Sequence, residues 1–314
     1  MRAWRTDQYG EPEQLRWDEI PDPVAGPQEV IVEVRAAGIN FFDLLQIRGR
    51  YQFEPAFPFT PGAEVCGTLA ETGERVIAFC GQGGYGERVS VPRSRVFAAP
   101  ENFSDAEAAA FLVNYHTAWF ALQQRARLTA GEWLLVHAGA SGVGTAAIQV
   151  ARSMEARVVA TAGSAAKLEH CRRLGAEAAY SYEDPDWPRH VRELTGGGVN
   201  VVFDPVGGEI FDQTSRCLAM EGRLVIIGFA SGRIPEIAAN RLLLRNISAV
   251  GAIWGSYIEA HPEYLAHTQT LLAALAADGL LQPHVGAQYP LRDAPQALRD
   301  LEQRRVIGKA VLVR

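Results

Sequence analysis

The sequence predicts an α/β chain of two domains. A doubly wound parallel sheet over residues 114–258 is inserted into a mainly β, partly open barrel made by residues 1–113 and 259–314. Three observations carry this. From Trp133 to Arg152 an apolar run, a turn of small residues and a helical stripe follow one another. Strand and helix patterns then alternate as far as Trp254. Ahead of them, proline and glycine punctuate short alternating strands, the mark of an antiparallel barrel rather than of α/β layers.

In chain order, Pro12, Pro21, Pro23 and Pro27 lead to Val30–Ala36, where apolar and polar residues alternate as in a half-buried strand. Val65–Leu69 and Arg75–Phe79 read as strands joined by the turn Glu71-Thr72-Gly73-Glu74. Gly81, Gly83, Gly84 and Gly86 make a loop before Val89-Ser90-Val91. Ser104 is an N-cap and Glu107 completes a capping box. A helix follows over about Asn114–Arg125. Trp133–Val136 is apolar without alternation, as a strand covered on both faces is. After Gly144, the residues Ala147, Ile148 and Ala151 form a helical stripe.

Between strand and helix lie Gly139, Ala140, Ser141, Gly142, Val143 and Gly144. Small residues there let a backbone approach a pyrophosphate at the positive end of a helix. The pattern is imperfect, since Ser141 stands where the dinucleotide fingerprint has its second glycine. A tight turn without a ligand satisfies the same residues.

The next strand, Arg157–Ala162, sharpens the reading. A helix from Ala165 to Leu174 follows it, closed by Gly175. Dinucleotide sites for NAD place an acid at this strand's end, on the ribose 2′-hydroxyl. Here the end is Thr161-Ala162-Gly163-Ser164, with Lys167 one turn into the helix. Without the acid nothing repels a 2′-phosphate, and Ser164 and Lys167 could bind one. That favours NADPH over NADH; Lys167 as an ordinary exposed helix lysine is the plainer reading. Val199–Asp204, Gly222–Gly228 and Ile247–Gly251 continue the sheet. Helices Tyr264–Asp278 and Ala294–Arg304 precede a last strand, Lys309–Val313, expected to rejoin the first domain.

Composition bounds the function. The 314 residues are 48% apolar and 21% charged, an ordinary globular balance. A net charge of −6 gives no footprint for nucleic acid or an anionic membrane. No apolar run reaches the length of a spanning helix. Met1–Arg5 lacks the apolar core of a secretory signal, and Cys66, Cys80, Cys171 and Cys217 are widely separated. Buried thiols in a cytoplasmic protein are expected.

Several segments together are similar to the medium-chain dehydrogenase/reductase superfamily, in its zinc-free quinone oxidoreductase branch. They are Gly38–Asp43, Pro61-Gly62-Ala63-Glu64, Gly84-Tyr85-Gly86-Glu87, the glycine turn, Asp204–Gly208, Val250–Gly255 and Gly308-Lys309, spread over nearly the whole chain. The resemblance implies a Rossmann-type domain inserted into a GroES-like catalytic domain, and a homodimer. Zinc enzymes of the superfamily carry cysteine at Asn40 and histidine at Ala63, and four clustered cysteines absent here. Neither replacement is a usual zinc ligand, so no metal is expected.

The resemblance also assigns residues. Asn40 stands beside nicotinamide and substrate, and Tyr51, eleven residues on, matches the catalytic tyrosine of zinc-free enoyl-thioester reductases. Tyr51 as an aromatic wall is the alternative. Asp43 reads as a helix cap, and His116 as a core or hinge histidine. Thr117, Gly228, Phe229, Ile253 and Trp254 fall toward the nicotinamide, and Tyr182 toward the adenine-side phosphate with Ser164 and Lys167. The implied activity is NADPH-dependent, zinc-free hydride transfer to a small electrophile, a quinone or an α,β-unsaturated carbonyl. An enoyl-thioester reductase is the second reading, and a cofactor-binding protein without turnover, like lens crystallins of this branch, the third.

Overall fold

The computed structural model describes all residues from Met1 to Arg314. The chain divides into two units. The first is Met1–Val113, Leu265–Ala277 and Gln282–Arg314; the second is Asn114–Tyr264 and Asp278–Leu281.

The first unit is built on a seven-stranded sheet. Its path runs Val285–Pro290, Lys309–Val313, Glu29–Gly38, Glu64–Leu69, Arg75–Phe79 and Val96–Ala98, and Arg88–Pro92 also pairs with Glu29–Gly38. Every pairing is antiparallel except that of Val285–Pro290 with Lys309–Val313. The path has two ends, so the barrel is open. Lys309–Val313 does rejoin this unit, with Val311 opposite Gly38. Val32, Val34, Val65, Val91, Leu44 and Leu312 meet in the core, contributing roughly 1.5–3 kcal/mol each by burial. Val285–Pro290 is a strand the sequence hid. Its residues VGAQYP hold a glycine and a proline and alternate only between half-buried and exposed.

The second unit is a six-stranded sheet, parallel throughout. Its order is Ala178–Ser181, Arg157–Ala162, Trp133–Val136, Val199–Asp204, Leu218–Ile226 and Ser248–Gly251. Trp133–Val136 is buried along its whole length, as an apolar run without alternation requires. Trp187, Leu135, Val159, Val202 and Leu224 join its core.

Two expected elements differ. The helix read as Asn114–Arg125 is an α-helix, Leu112–Trp119, followed by a π-helical Phe120–Arg125. A π turn is wider, which draws consecutive side chains together around the axis, and Phe120, Ala121 and Leu122 are all buried. The strand read as Gly222–Gly228 begins at Leu218 and passes a register shift opposite Val199–Val201. That irregularity masks the period on which the reading relied. No helix is long and apolar enough to cross a membrane.

Candidate functional site

In the second unit, Trp133–Val136 lies between Arg157–Ala162 and Val199–Asp204. The direction of winding reverses there, and open α/β sheets take ligands at the carboxyl ends of such strands. The chain leaves Trp133–Val136 through His137 and Ala138 into the glycine turn. Ser141 is the N-cap of helix Gly142–Ser153: its hydroxyl accepts from the Gly144 N–H (3.1 Å) and donates to the Ala138 carbonyl (2.7 Å). The serine that breaks the glycine fingerprint therefore has a capping task. At Gly144 a Cβ would come within 2.2 Å of the Ala138 oxygen, so no side chain fits. One at Gly139 would lie 2.9 Å from both Ala160 Cβ and Cys171 Sγ. A side-chain-free approach to the positive end of a twelve-residue helix suits a pyrophosphate.

His137 secures the strand end behind this turn. It is fully buried, with Nδ1 2.7 Å from Thr161 Oγ1 and Nε2 2.7 Å from Thr214 Oγ1. Thr214 spends its own proton on the Ile210 carbonyl (2.7 Å), which assigns Nε2 as donor and Nδ1 as acceptor. Burial pushes its pKa down to about 4, so the ring is neutral at physiological pH. The Ala138 N–H donates to the Tyr182 hydroxyl, tying Tyr182 to the glycine turn. Tyr182 also lies at the end of Arg157–Ala162, its N–H reaching the Ala162 carbonyl (3.3 Å). Ser164 caps the next helix, accepting from the Lys167 N–H (3.4 Å). Tyr182, Ser164 and Lys167 thus gather around one strand end.

Asp204 organises the neighbouring strand end. Its Oδ1 accepts from the Val206 and Gly207 N–H groups (2.7 and 3.0 Å). Gly207 and Gly208 both have positive φ, 69° and 58°. The following turn, with Gly228 and Phe229, runs alongside: Ala230 donates to Pro205 O (3.0 Å) and Ser231 to Val206 O (2.9 Å). Ile253 is the N-cap of helix Trp254–Ala260 and is 42% exposed. Trp254 is buried, its ring 5.4 Å from that of His116, which is itself buried. Thr117 is half-buried on the same helix as His116.

The first unit holds a second polar centre. Asn40 is the N-cap of helix Phe41–Ile47. Its side-chain Oδ1 accepts from Lys309 Nζ (2.6 Å), and its Nδ2 donates to Glu64 Oε1 (3.0 Å). Lys309 Nζ also donates to Glu64 Oε1 (2.7 Å), and Glu64 Oε2 accepts from the Val113 N–H (2.8 Å). Asp43 is buried one turn on, and its Oδ2 accepts from the Asn40 N–H (2.7 Å) and the Tyr85 hydroxyl (2.8 Å). Its Oδ1 is buried without a hydrogen bond. Burial raises the Asp43 pKa to about 7, against the lowering effect of those bonds. Tyr51 stacks on Phe42, ring centroids 5.4 Å apart, with Phe53 at 5.8 Å. Burial, aided by the Asp43 charge, lifts its phenol to about 12.

Comparison with known proteins decides the family. Residues 26–101 match the alcohol dehydrogenase GroES-like domain, and residues 142–270 match the zinc-binding dehydrogenase family. Quinone oxidoreductase-like protein 2 of Bos taurus is 40% identical over 303 residues, 93% of this chain and 86% of that protein. The quinone oxidoreductase of Thermus thermophilus, solved also with NADPH, is 37% identical over 100% of both chains, with a TM-score of 0.89. A probable oxidoreductase from Mycobacterium abscessus is 41% identical over 100% of this chain and 99% of that one, with a TM-score of 0.90. The chain belongs to the quinone oxidoreductase branch of the medium-chain dehydrogenase/reductase superfamily.

The zinc that names one matching family does not fit here. Ala63 offers no donor atom, and the Asn40 oxygen is taken by an ammonium group 2.6 Å away, which would repel a second cation. The polar centre of this quinone oxidoreductase relative is therefore organised by Lys309. Glu64 and Lys309 were legible only as parts of family motifs. The signal that could have singled them out is a charged residue heading a mainly apolar buried strand, in Glu64–Leu69 and again in Lys309–Val313.

Proposed function

We propose that the protein is a zinc-independent, NADPH-dependent reductase of small electrophiles, quinones or α,β-unsaturated carbonyls. The observation that carries the reading is the pair of adjacent strand ends in the second unit. One presents a helix N-terminus that only a glycine at 144 permits. The other ends in Ala162-Gly163-Ser164, without a carboxylate, beside Tyr182 and Lys167. Gly139–Gly144 would hold the pyrophosphate and Ser164, Lys167 and Tyr182 the 2′-phosphate. Thr117, Gly228, Phe229, Ile253 and the Trp254 backbone would line the nicotinamide end. Bound there, NADPH supplies hydride, and the protein's part is orientation and charge. Asn40 hydrogen-bonds the oxygen of the acceptor, and Tyr51, held protonated, donates to a developing enolate.

Tyr51 also favours a second reading, an enoyl-thioester reductase, because an enolate profits most from a placed acid. A homodimer completes the proposal. Ser248–Gly251 is an unpaired edge of the parallel sheet, and Met220, Leu243 and Leu244 in the same unit are 62%, 77% and 75% exposed. A bare edge with apolar neighbours suits a second copy, and sedimentation at the mass of one chain would remove that part.

The test is oxidation of NADPH and of NADH over quinones, enals, enones and enoyl thioesters. Turnover with NADPH, and binding of NADPH about ten- to hundredfold tighter than NADH, is expected from a charge-assisted phosphate contact. Equal affinity for both cofactors would contradict the assignment of Ser164 and Lys167. Binding without oxidation by any acceptor would favour the protein without turnover.

A further inference from the structure

We propose that Lys309 and Glu64 are positioning residues: they orient and polarise the Asn40 carboxamide so that its second N–H becomes a strong donor to the acceptor oxygen. The inference rests on the reductase reading and adds two residues that no catalytic assignment above includes.

Orientation comes first. An ammonium group only donates and a carboxylate only accepts. With Lys309 Nζ 2.6 Å from Oδ1 and Glu64 Oε1 3.0 Å from Nδ2, the carboxamide has one satisfactory setting. Turned over, it would face N–H against ammonium and oxygen against carboxylate. Both charges are rigidly held. Glu64 is anchored through its other oxygen to the Val113 N–H. Lys309 sits in a buried strand, its own N–H bonded to the His284 carbonyl (2.8 Å). On the remaining side, Asp43 fixes the Asn40 backbone N–H, and Tyr85 holds Asp43.

Polarisation follows from burial. The Lys309 and Glu64 side chains are 5% and 1% exposed, so little solvent screens them. A cation on the amide oxygen draws electron density from nitrogen, and both N–H bonds become more acidic. One is spent on Glu64. The other remains for a ligand. When hydride reaches the acceptor carbon, an electron pair moves onto the acceptor oxygen. That oxygen gains charge in the transition state, and the polarised N–H binds it more strongly than in the ground state. A proton from Tyr51 or water then completes the two-electron reduction.

A purely structural ion pair would act on folding and not through Asn40, which separates the two roles. The experiment is a cycle of Glu64→Gln/Lys309→Met, Asn40→Ala and the three changes combined, read as single-turnover NADPH oxidation with one enone, and as NADPH affinity. The double change keeps volume and leaves no lone buried charge. It should slow the hydride step about ten- to hundredfold with NADPH affinity unchanged, and cost less than about twofold once Asn40 is alanine. Equal losses in both backgrounds would overturn the proposal. A second readout needs neither turnover nor the double variant. In the wild-type spectrum, one Asn40 side-chain amide proton, recognised by its loss in Asn40→Ala, should lie downfield of the other asparagine amides. A position among them would overturn the proposal too. Should the wild type reduce nothing with NADPH, the reductase reading falls by itself, while the amide signal still decides whether Lys309 polarises Asn40.

Discussion

In the proposed reaction, Tyr51 is the residue on which the choice of substrate class turns. Its phenol is lifted to about 12, so it rests protonated at neutral pH. A quinone that accepts hydride becomes a weakly basic oxyanion and can take its proton from water. An enone or enoyl thioester becomes an enolate, a far stronger base. General acid help is worth about 10²–10⁴ in rate, so Tyr51→Phe should cost an enone about that much and a quinone under about tenfold. Small losses for both would leave Tyr51 as a wall packed on Phe42. Equally large ones would make it a positioning residue for both classes. Asn40 shows why single residues were only half legible. Its type and its place before a helix were plain, but the partners that define its chemistry lie 24 and 269 residues away in the chain. No local pattern encodes such a contact.

Among the elements, the strand Trp133–Val136 and its turn were read most fully, because a buried parallel strand and a capped helix each leave a local pattern. The capping box at Ser104 and Glu107 was legible for the same reason. The π-helical Phe120–Arg125 and the strand Val285–Pro290 were not, since packing rather than propensity sets them. His137 at the end of the central strand supplies a test at this scale. Its pKa is about 4 when folded, against an ordinary 6.5. The unfolded chain therefore takes a proton between pH 6.5 and 4 that the folded ring refuses. Stability is complete above 6.5 and declines as pH falls through that window, by up to about 3 kcal/mol. Asp43, raised to about 7, pulls the other way in the first unit: its contribution is present below 3.8 and is lost as pH rises through 7. A local probe is needed to tell them apart. Hydrogen exchange at Trp133–Val136 should lose protection from pH 7 to 4.5 in the wild type and much less in His137→Gln. Parallel losses would place the pH sensitivity elsewhere.

For the whole molecule, the parallel sheet of the second unit follows from alternation along the chain, and the return of Lys309–Val313 to the first was expected where that alternation ends. Acceptor specificity does not, because a fold leaves the side chains of its connecting segments, Tyr51 and Phe53 among them, unconstrained in type. The proposed chemistry is hydride transfer, and isotopic substitution reports that step directly. The measurement is single-turnover oxidation, by a quinone and by an enone, of NADPH carrying deuterium at both C4 positions, in the presence of a chelator. The account predicts slower oxidation than with unlabelled NADPH for the acceptors turned over, deuterium on the β-carbon of the reduced enone, and no loss of rate to the chelator. Oxidation at the same rate without transfer of the label, or activity lost with the metal, would contradict it.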